Sequence, residues 1–542
     1  MKNKPQVIAM GNGDIMWEQT FERFSAKVYV PATNLPADII NFGFRAPYLL
    51  VFEEKPMSKE EAAKFASESG LKGIASEYAG SVVFIYPTGE GGWKNAKEGL
   101  FEEIIENSKI HQYHENGYVC LINRFSKESD GYAIRGAIFN TYLFGIGESA
   151  DYIAKNLLKT VKGAGLWGPA DVTPAVCVLE NLSVAPKLER RDIPVVSINN
   201  SKETNSYFEK NADNFYVQDA RDYSDAFKNF IKNYRRWGWD GDLQAVPDYE
   251  KLGMIVKPEV ATLKTSPDNE GDDKGSTEHK VGYMAYYNKG LFDNGPVPLV
   301  LCFHGGGDSI MYISEVAEWY RVAHDNNFLL VCIENHLNST ATEMMELLDI
   351  LKKEYPIDSE KIYASGFSMG GCKSWDLYQE YPEVFAGLAP MDATFEVGLN
   401  VYGKPAPCKI NDSILVPIFY VGGEETPLPE LPFQAQKCTD RMEYVLKINK
   451  ATKPYNVDYN DQSKWVNKIW GIDGDETRKF HDESRDSVLT VQYFKSEDGQ
   501  IYTAFGSVSG QGHECRHHSC ENAWQFLRKF RRTPDGIVIE ED

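Results

Sequence analysis

The residues best suited to chemistry lie in Ala364-Ser365-Gly366-Phe367-Ser368-Met369-Gly370-Gly371. A serine hydroxyl is a weak nucleophile until a neighbouring base takes its proton. Ser368 has a glycine two residues away on either side, strand-like KIYASG (361–366) before it and helix-compatible MGGCKSWDLYQEYP after it. A turn that tight strains the backbone at its apex, and small flanking residues permit it. Gly-x-Ser-x-Gly between a strand and a helix is the pattern of a nucleophile elbow, which lifts the hydroxyl above the C-terminal edge of a parallel sheet. The bland reading is a glycine-rich turn with an idle serine.

A nucleophile of this kind needs amide donors for the oxyanion that forms on a carbonyl. PLVLCFHGGGDS supplies a strand followed by His304-Gly305-Gly306-Gly307, whose backbone can approach a substrate closely because it lacks Cβ atoms. The amides near Gly305 and Gly306, with that of Met369 at the start of the helix, are the expected donors, each worth about 3 kcal/mol in the transition state.

A general base must also reach the serine. After Ser368 the histidines are His481, His513, His517 and His518. The hairpin SVLTVQYFKSEDGQIYTAFGSV, turning at Asp498-Gly499, leads into SGQGHECRHHSCENAWQFLRKFRR. His513, in a glycine-rich loop just before a terminal helix, is the expected base; His517 and His518 read as solvated or helix-capping. The crowding in GHECRHHSC also raises a metal, but no CxxC pair and no second ligand cluster accompanies it, so none is assigned. The acid that orients the histidine should come after the strand PIFYVGG, in GGEETPLPE. Glu424, Glu425 and Glu430 are the candidates, with spacing from Gly422 favouring Glu425. Each has a bland alternative as a loop-solvating glutamate.

The elements that must hold these residues are short apolar runs, such as YLLVF (48–52), SVVFIYP (81–87), AVCVLE (175–180), PLVLCFHG (298–305) and FLLVCIE (328–334). They alternate with amphipathic stretches such as SKEEAAKFASESGLKGIASEYAG and ATEMMELLDILKKEYP. Apolar strands alternating with helices predict doubly wound α/β sheets. A boundary is expected after NYRRWGWDGD, giving domains over 1–245 and 246–542. The polar stretch 265–278 reads as a long hairpin loop rather than a linker. Element types recur in the same order in both halves, which predicts two similarly wound domains. In the first half GIGESADYIAKNLL reads as an elbow with Ser149 at its apex. No histidine lies between His114 and His279, so this half lacks a base and Ser149 is expected to be non-catalytic.

The 542 residues are too many for one core. With 57 basic against 79 acidic residues the net charge is −22, and no basic block interrupts it, which argues against nucleic acid or an anionic membrane as partner. No run approaches the roughly 20 apolar residues of a membrane span, and no signal-peptide pattern is visible, so a cytoplasmic location is expected. The nine cysteines sit largely in apolar contexts and read as reduced core thiols.

PLVLCFHGGGDS, IDSEKIYASGFSMGG and YFKSEDGQIYTAFGSVSGQGHE resemble the α/β-hydrolase superfamily, and within it the esterases akin to polyhydroxybutyrate depolymerases and feruloyl esterases. The resemblance covers about 280–532. It implies two α/β-hydrolase-like domains, the N-terminal one degenerate. It also implies a serine esterase with Ser368 as nucleophile, His513 as base and an oxyanion hole near Gly305, Gly306 and Met369, and leaves the acid among Glu425, Glu424 and Glu430. No cofactor would be needed, and the substrate would be a small acyl, aryl or short hydroxyalkanoate ester, with a homo-oligomer left open. GGEET departs from the Asp-bearing loop usual in relatives. Two other readings stay open: a serine peptidase of the prolyl-oligopeptidase type, and a non-catalytic scaffold. The insertion 453–484 reads either as a lid or acyl-pocket wall, or as a surface excursion with buried anchors.

Overall fold

The computed structural model describes residues 6–32, 47–78, 80–109, 111–114, 117–120, 134–135, 141–165, 168–236, 243–271, 273–306, 309–334, 336–400 and 402–541. Gly307, the last glycine of HGGG, lies outside them. The chain divides into two compact units, Met1–Asp248 and Tyr249–Asp542.

The first unit is built on a nine-stranded sheet. Its strands are β1 (Ile8–Gly11), β2 (Asp14–Thr20), β3 (Phe24–Val30), β4 (Tyr48–Phe52), β5 (Ser81–Pro87), β6 (Thr141–Ile146), β7 (Val176–Glu180), β8 (Val195–Ile198) and β9 (Phe215–Gln218). They lie in the order β1-β2-β3-β5-β4-β6-β7-β8-β9. From β5 to β9 every pairing is parallel. All five residues of YLLVF are buried, as expected for a strand covered on both faces. Helix α1 (Glu148–Asn156) comes directly after β6 and buries Ala150, Ile153 and Ala154.

The second unit is built on a ten-stranded sheet, with strands β10 (Met254–Lys264), β11 (Glu278–Asn288), β12 (Val297–Phe303), β13 (Leu329–Ile333), β14 (Ile357–Phe367), β15 (Gly387–Met391), β16 (Ile418–Gly423), β17 (Glu476–Asp482), β18 (Ser487–Lys495) and β19 (Ile501–Ser509). Their order is β10-β11-β13-β12-β14-β15-β16-β19-β18-β17. β10 and β11 pair antiparallel from Met254↔Asn288 to Lys264↔Glu278, so the polar stretch between them is a hairpin loop. Eight strands of this sheet, β10 to β16 and β19, match β2 to β9 of the first unit in spatial order and in the direction of every pairing.

Helix α2 (Ala341–Glu354) packs against this sheet and begins at a capping box. The Thr340 hydroxyl accepts from the Glu343 N–H, and the Glu343 carboxylate accepts from the Thr340 N–H. The helix buries Met344, Leu347, Leu348 and Leu351 against strand residues such as Leu299, Leu301 and Val331. Each such aliphatic side chain contributes about 1.5–3 kcal/mol when fully withdrawn from water. Helices α3 (Met369–Glu380), α4 (Gln436–Ile448) and α5 (His517–Leu527) come after β14, β16 and β19 in turn.

Candidate active site

Strand register creates the site. Parallel pairing puts Phe303 beside Gly366, Phe367 beside Met391, Met391 beside Val421 and Gly423 beside Val508. The C-terminal ends of β12, β14, β15, β16 and β19 therefore line one edge of the sheet. These five strands lead respectively into the HGGG loop, Ser368, Asp392, the glutamate loop and the His513 loop.

Ser368 stands between β14 and α3 with φ 53° and ψ −118°, a strained conformation for a residue with a Cβ. Its N–H donates to the Met391 carbonyl at 3.0 Å and its carbonyl accepts from the Cys372 N–H at 3.0 Å, so both neighbours hold the apex. The glycines are sterically required. A Cβ on Gly366 would lie 2.2 Å from the Gly370 carbonyl oxygen, and one on Gly370 would lie 2.1 Å from that of Phe303. Helix α3 thus starts directly on the strand ends, with its first N–H groups free of intrahelical partners.

His513 Nε2 lies 2.9 Å from Ser368 Oγ. Its ring packs on Phe367 at 4.8 Å between centroids. Two contacts fix its loop: the Cys515 N–H donates to the Tyr312 hydroxyl at 3.0 Å, and Gln511 Nε2 donates to the Glu514 carbonyl at 2.9 Å. On the far side of the imidazole, Nδ1 lies 2.6 Å from Glu430 Oε1.

The acid beside the histidine is therefore Glu430, not the favoured Glu425 or its neighbour Glu424. Glu424 accepts a hydrogen bond from Ser507 Oγ at 2.7 Å. Glu425 is exposed, and its N–H ties to the Gln511 carbonyl at 2.9 Å. Both stand too early in the loop, where the chain still runs along β19. The path then turns back, and Glu430 is placed by its backbone. Its N–H donates to Gln434 Oε1 at 2.9 Å, and its carbonyl accepts from the Tyr420 hydroxyl at 2.6 Å. The residue is 3% exposed. Burial pushes its carboxyl up, against the neighbouring Thr426 and Asp392 side chains, which pull it down.

His304 is fully buried and anchors the glycine loop through Nε2, 2.8 Å from the Glu334 carbonyl. A Cβ on Gly306 would meet the Met369 side chain at 2.9 Å, so the glycine loop and the start of α3 lie side by side. That is the arrangement two converging amide donors need.

Asp392, Glu430 and His513 are the one group among the described residues whose donor atoms lie close enough to share a cation. The two imidazole nitrogens face Ser368 and Glu430, so His513 and Glu430 read as members of a relay. Of the crowded GHECRHHSC stretch, Cys515 and Cys520 face each other as thiols with sulfurs 3.5 Å apart. His517 and His518 open α5. Asp392 escaped sequence reading; its only signal is a carboxylate placed directly after the buried strand GLAPM.

In the first unit the apex of the would-be elbow is Gly147, not Ser149. Gly147 has φ 56° and ψ −121°, nearly the angles of Ser368. Ser149 lies two residues further on, inside α1. It is fully buried, and its Oγ accepts from the Ile146 N–H at 2.8 Å and donates to the Phe52 carbonyl at 2.6 Å. In the second unit, Trp470 of the 453–484 insertion is buried and stacks on Phe505 at 5.3 Å.

In fold, the chain resembles the esterase group of the α/β-hydrolase superfamily. No family model matches it. A curated relative, the bifunctional acetylxylan esterase/xylanase XynS20E of Neocallimastix patriciarum, is 24% identical over 250 residues, covering 44% of this chain and 32% of that relative's length. Among solved structures, an acetyl xylan esterase from Aspergillus awamori is similar with TM-score 0.32 and 10% identity, over 50% of this chain and 99% of that one. A feruloyl esterase module from Clostridium thermocellum is similar with TM-score 0.30 and 14% identity, over 52% and 93%. Among the described residues no helix is long and apolar enough to cross a membrane.

Proposed function

We propose that the second unit is a serine esterase that cleaves small carboxylic esters through an acyl-enzyme. The observation that carries this reading is the Ser368–His513–Glu430 relay on an elbow, with contacts of 2.9 and 2.6 Å. Ser368 Oγ attacks the ester carbonyl while His513 Nε2 takes its proton. Glu430 holds the ring and stabilises the imidazolium that forms. Amides near Gly305, Gly306 and Met369 take the oxyanion. His513 then protonates the departing alcohol, water enters by the same route, and the acid leaves. The curated relative's acetylxylan esterase name favours short acyl groups, acetyl first, on a hydroxyl-rich alcohol.

The first unit is, on this reading, a degenerate copy of the same fold with glycine where the nucleophile would stand. The shared strand order supports it, and a single large sheet speaks against the propeller of a prolyl-oligopeptidase-type peptidase. Of the nine cysteines, the eight whose side chains are described are free thiols.

The test is a panel of p-nitrophenyl, acetyl and feruloyl esters beside an anilide, with Ser368→Ala as blank. Turnover of esters that vanishes in the variant is expected, along with a fluorophosphonate adduct on Ser368. Absence of both would leave the scaffold reading standing.

A further inference from the structure

One acid at the site takes no part in the ester-cleaving steps. Asp392 stands directly after β15, next to the elbow. Its carboxyl, the Glu430 carboxyl and the His513 imidazole each offer an atom within 4.8 Å of the others. Asp392 is 2% exposed and Glu430 3%, so water solvates neither charge. Asp392 has φ 46°, in the left-handed region that side chains avoid, and its N–H is pinned to the Val421 carbonyl at 2.8 Å. Its Oδ1 accepts the Gly423 N–H at 2.8 Å.

We propose that Asp392 is a positioning residue that remains a protonated acid and donates its proton to an ionised Glu430, so that one proton serves two carboxyls and Glu430 is held facing His513. The inference rests on the reading of Ser368, His513 and Glu430 as an ester-cleaving relay. Two buried carboxylates in contact do not both ionise. Burial, then the Glu430 charge, push Asp392 well above the ordinary carboxyl range. Glu430 is the member better served as an anion: its Oε1 lies 2.6 Å from His513 Nδ1, and Lys437 on α4 adds positive potential. The other titratable groups facing the pair are His513, the Tyr420 hydroxyl on β16, and the Cys372 and Cys438 thiols on α3 and α4. The hydroxyl and both thiols are held neutral, each pushed up by its own burial.

The experiment measures p-nitrophenyl acetate turnover, fluorophosphonate labelling of Ser368 and melting temperature from about pH 6 to 10, for the full chain, Asp392→Asn and Asp392→Ala. Asparagine copies the shape and donor of a protonated acid, so kcat stays within about threefold; alanine removes the donor and lowers kcat about tenfold or more with KM little changed. A raised folded-state pKa sets the sign for stability. The contribution is complete below the ordinary carboxyl pKa and is lost as pH rises through the folded value, so the parent's melting temperature falls on the alkaline side and that of Asp392→Asn falls less. An asparagine variant as impaired as the alanine one, or an alanine variant equal to the parent in kcat and alkaline melting, overturns the proposal. Should alanine fail to fold, asparagine decides alone: retained kcat with a flatter alkaline profile upholds it, and lost kcat or an unchanged profile overturns it. A parent that neither turns over the ester nor labels at Ser368 sinks the esterase reading itself, and the melting comparison still decides where the proton sits.

Discussion

At the scale of single residues the site turns on which glutamate meets His513. Glu430 Oε1 is 2.6 Å from Nδ1, while Glu425 points to solvent. Glu430→Gln keeps size but removes the charge that steadies the imidazolium, so kcat should fall at least about a hundredfold, read with the best ester of the panel. Glu425→Gln should stay within about twofold, as surface changes away from a site generally do. The reverse ranking would restore the earlier glutamate to the relay. Ser368 and His513 are legible as residue types in characteristic loops, because each is defined by its immediate neighbours. Glu430 is legible only as one of three candidate glutamates, because five residues of loop separate it from Glu424, and Gln434 and Tyr420 decide where that loop turns. Asp392 is less legible still, since its meaning comes only from what stands across from it.

At the scale of elements, the relay depends on how closely β16 passes the histidine loop. A Cβ on Gly423 would lie 2.2 Å from the Gly512 carbonyl oxygen and 2.4 Å from that of Gln511, and both are backbone atoms. Gly423→Ala must therefore push the His513 loop away, and misplacement near 1 Å costs up to about a hundredfold in rate. We expect at least about a tenfold drop in kcat with a folded protein by circular dichroism. Gly512→Ala, on the facing segment, meets nothing within 4 Å and has no left-handed φ, so it should keep most activity. Equal behaviour of the two variants would mean the close approach does not matter. The strands themselves were plain in the sequence, since runs such as FLLVCIE have one physical home, between two layers of helix. The elbow in the first unit was misplaced by two residues because serine draws attention as a chemical group, whereas the backbone angles belong to Gly147.

At the scale of the whole molecule, two sheets of one topology have kept different things. The first retains the strand order and the elbow backbone without a nucleophile or a histidine after His114 in its half. Ser149→Ala should leave ester turnover within about twofold. It should still cost about 1–2 kcal/mol in unfolding, because the Ile146 N–H and Phe52 carbonyl lose a buried partner. A large loss of turnover would contradict this. Elsewhere in the first unit, Asp192 bridges Arg190 at 2.6 Å and the buried Arg236 at 2.8 Å. Its carboxyl is pushed down to about 2; burial raises it, and hydrogen bonds from the two arginines outweigh that. The depressed value means stability present above the ordinary carboxyl pKa and lost as pH falls through about 2. Asp192→Asn should lower the melting temperature at neutral pH and narrow the gap to the parent in acid.

The amino-acid order alone settled what depends on neighbours along the chain: alternating strands and helices, a repeated pattern in two halves, a serine in a tight turn, a glycine loop after a strand, and a histidine before the last long helix. The packed chain alone decided which acid meets the imidazole, that a second acid stands behind it, and which residue occupies the apex in the first unit. Those choices join groups as far apart as Ser368 and His513, 145 positions along the chain. They are made by strand register and by the paths of loops between buried anchors, and no local pattern of residues encodes either.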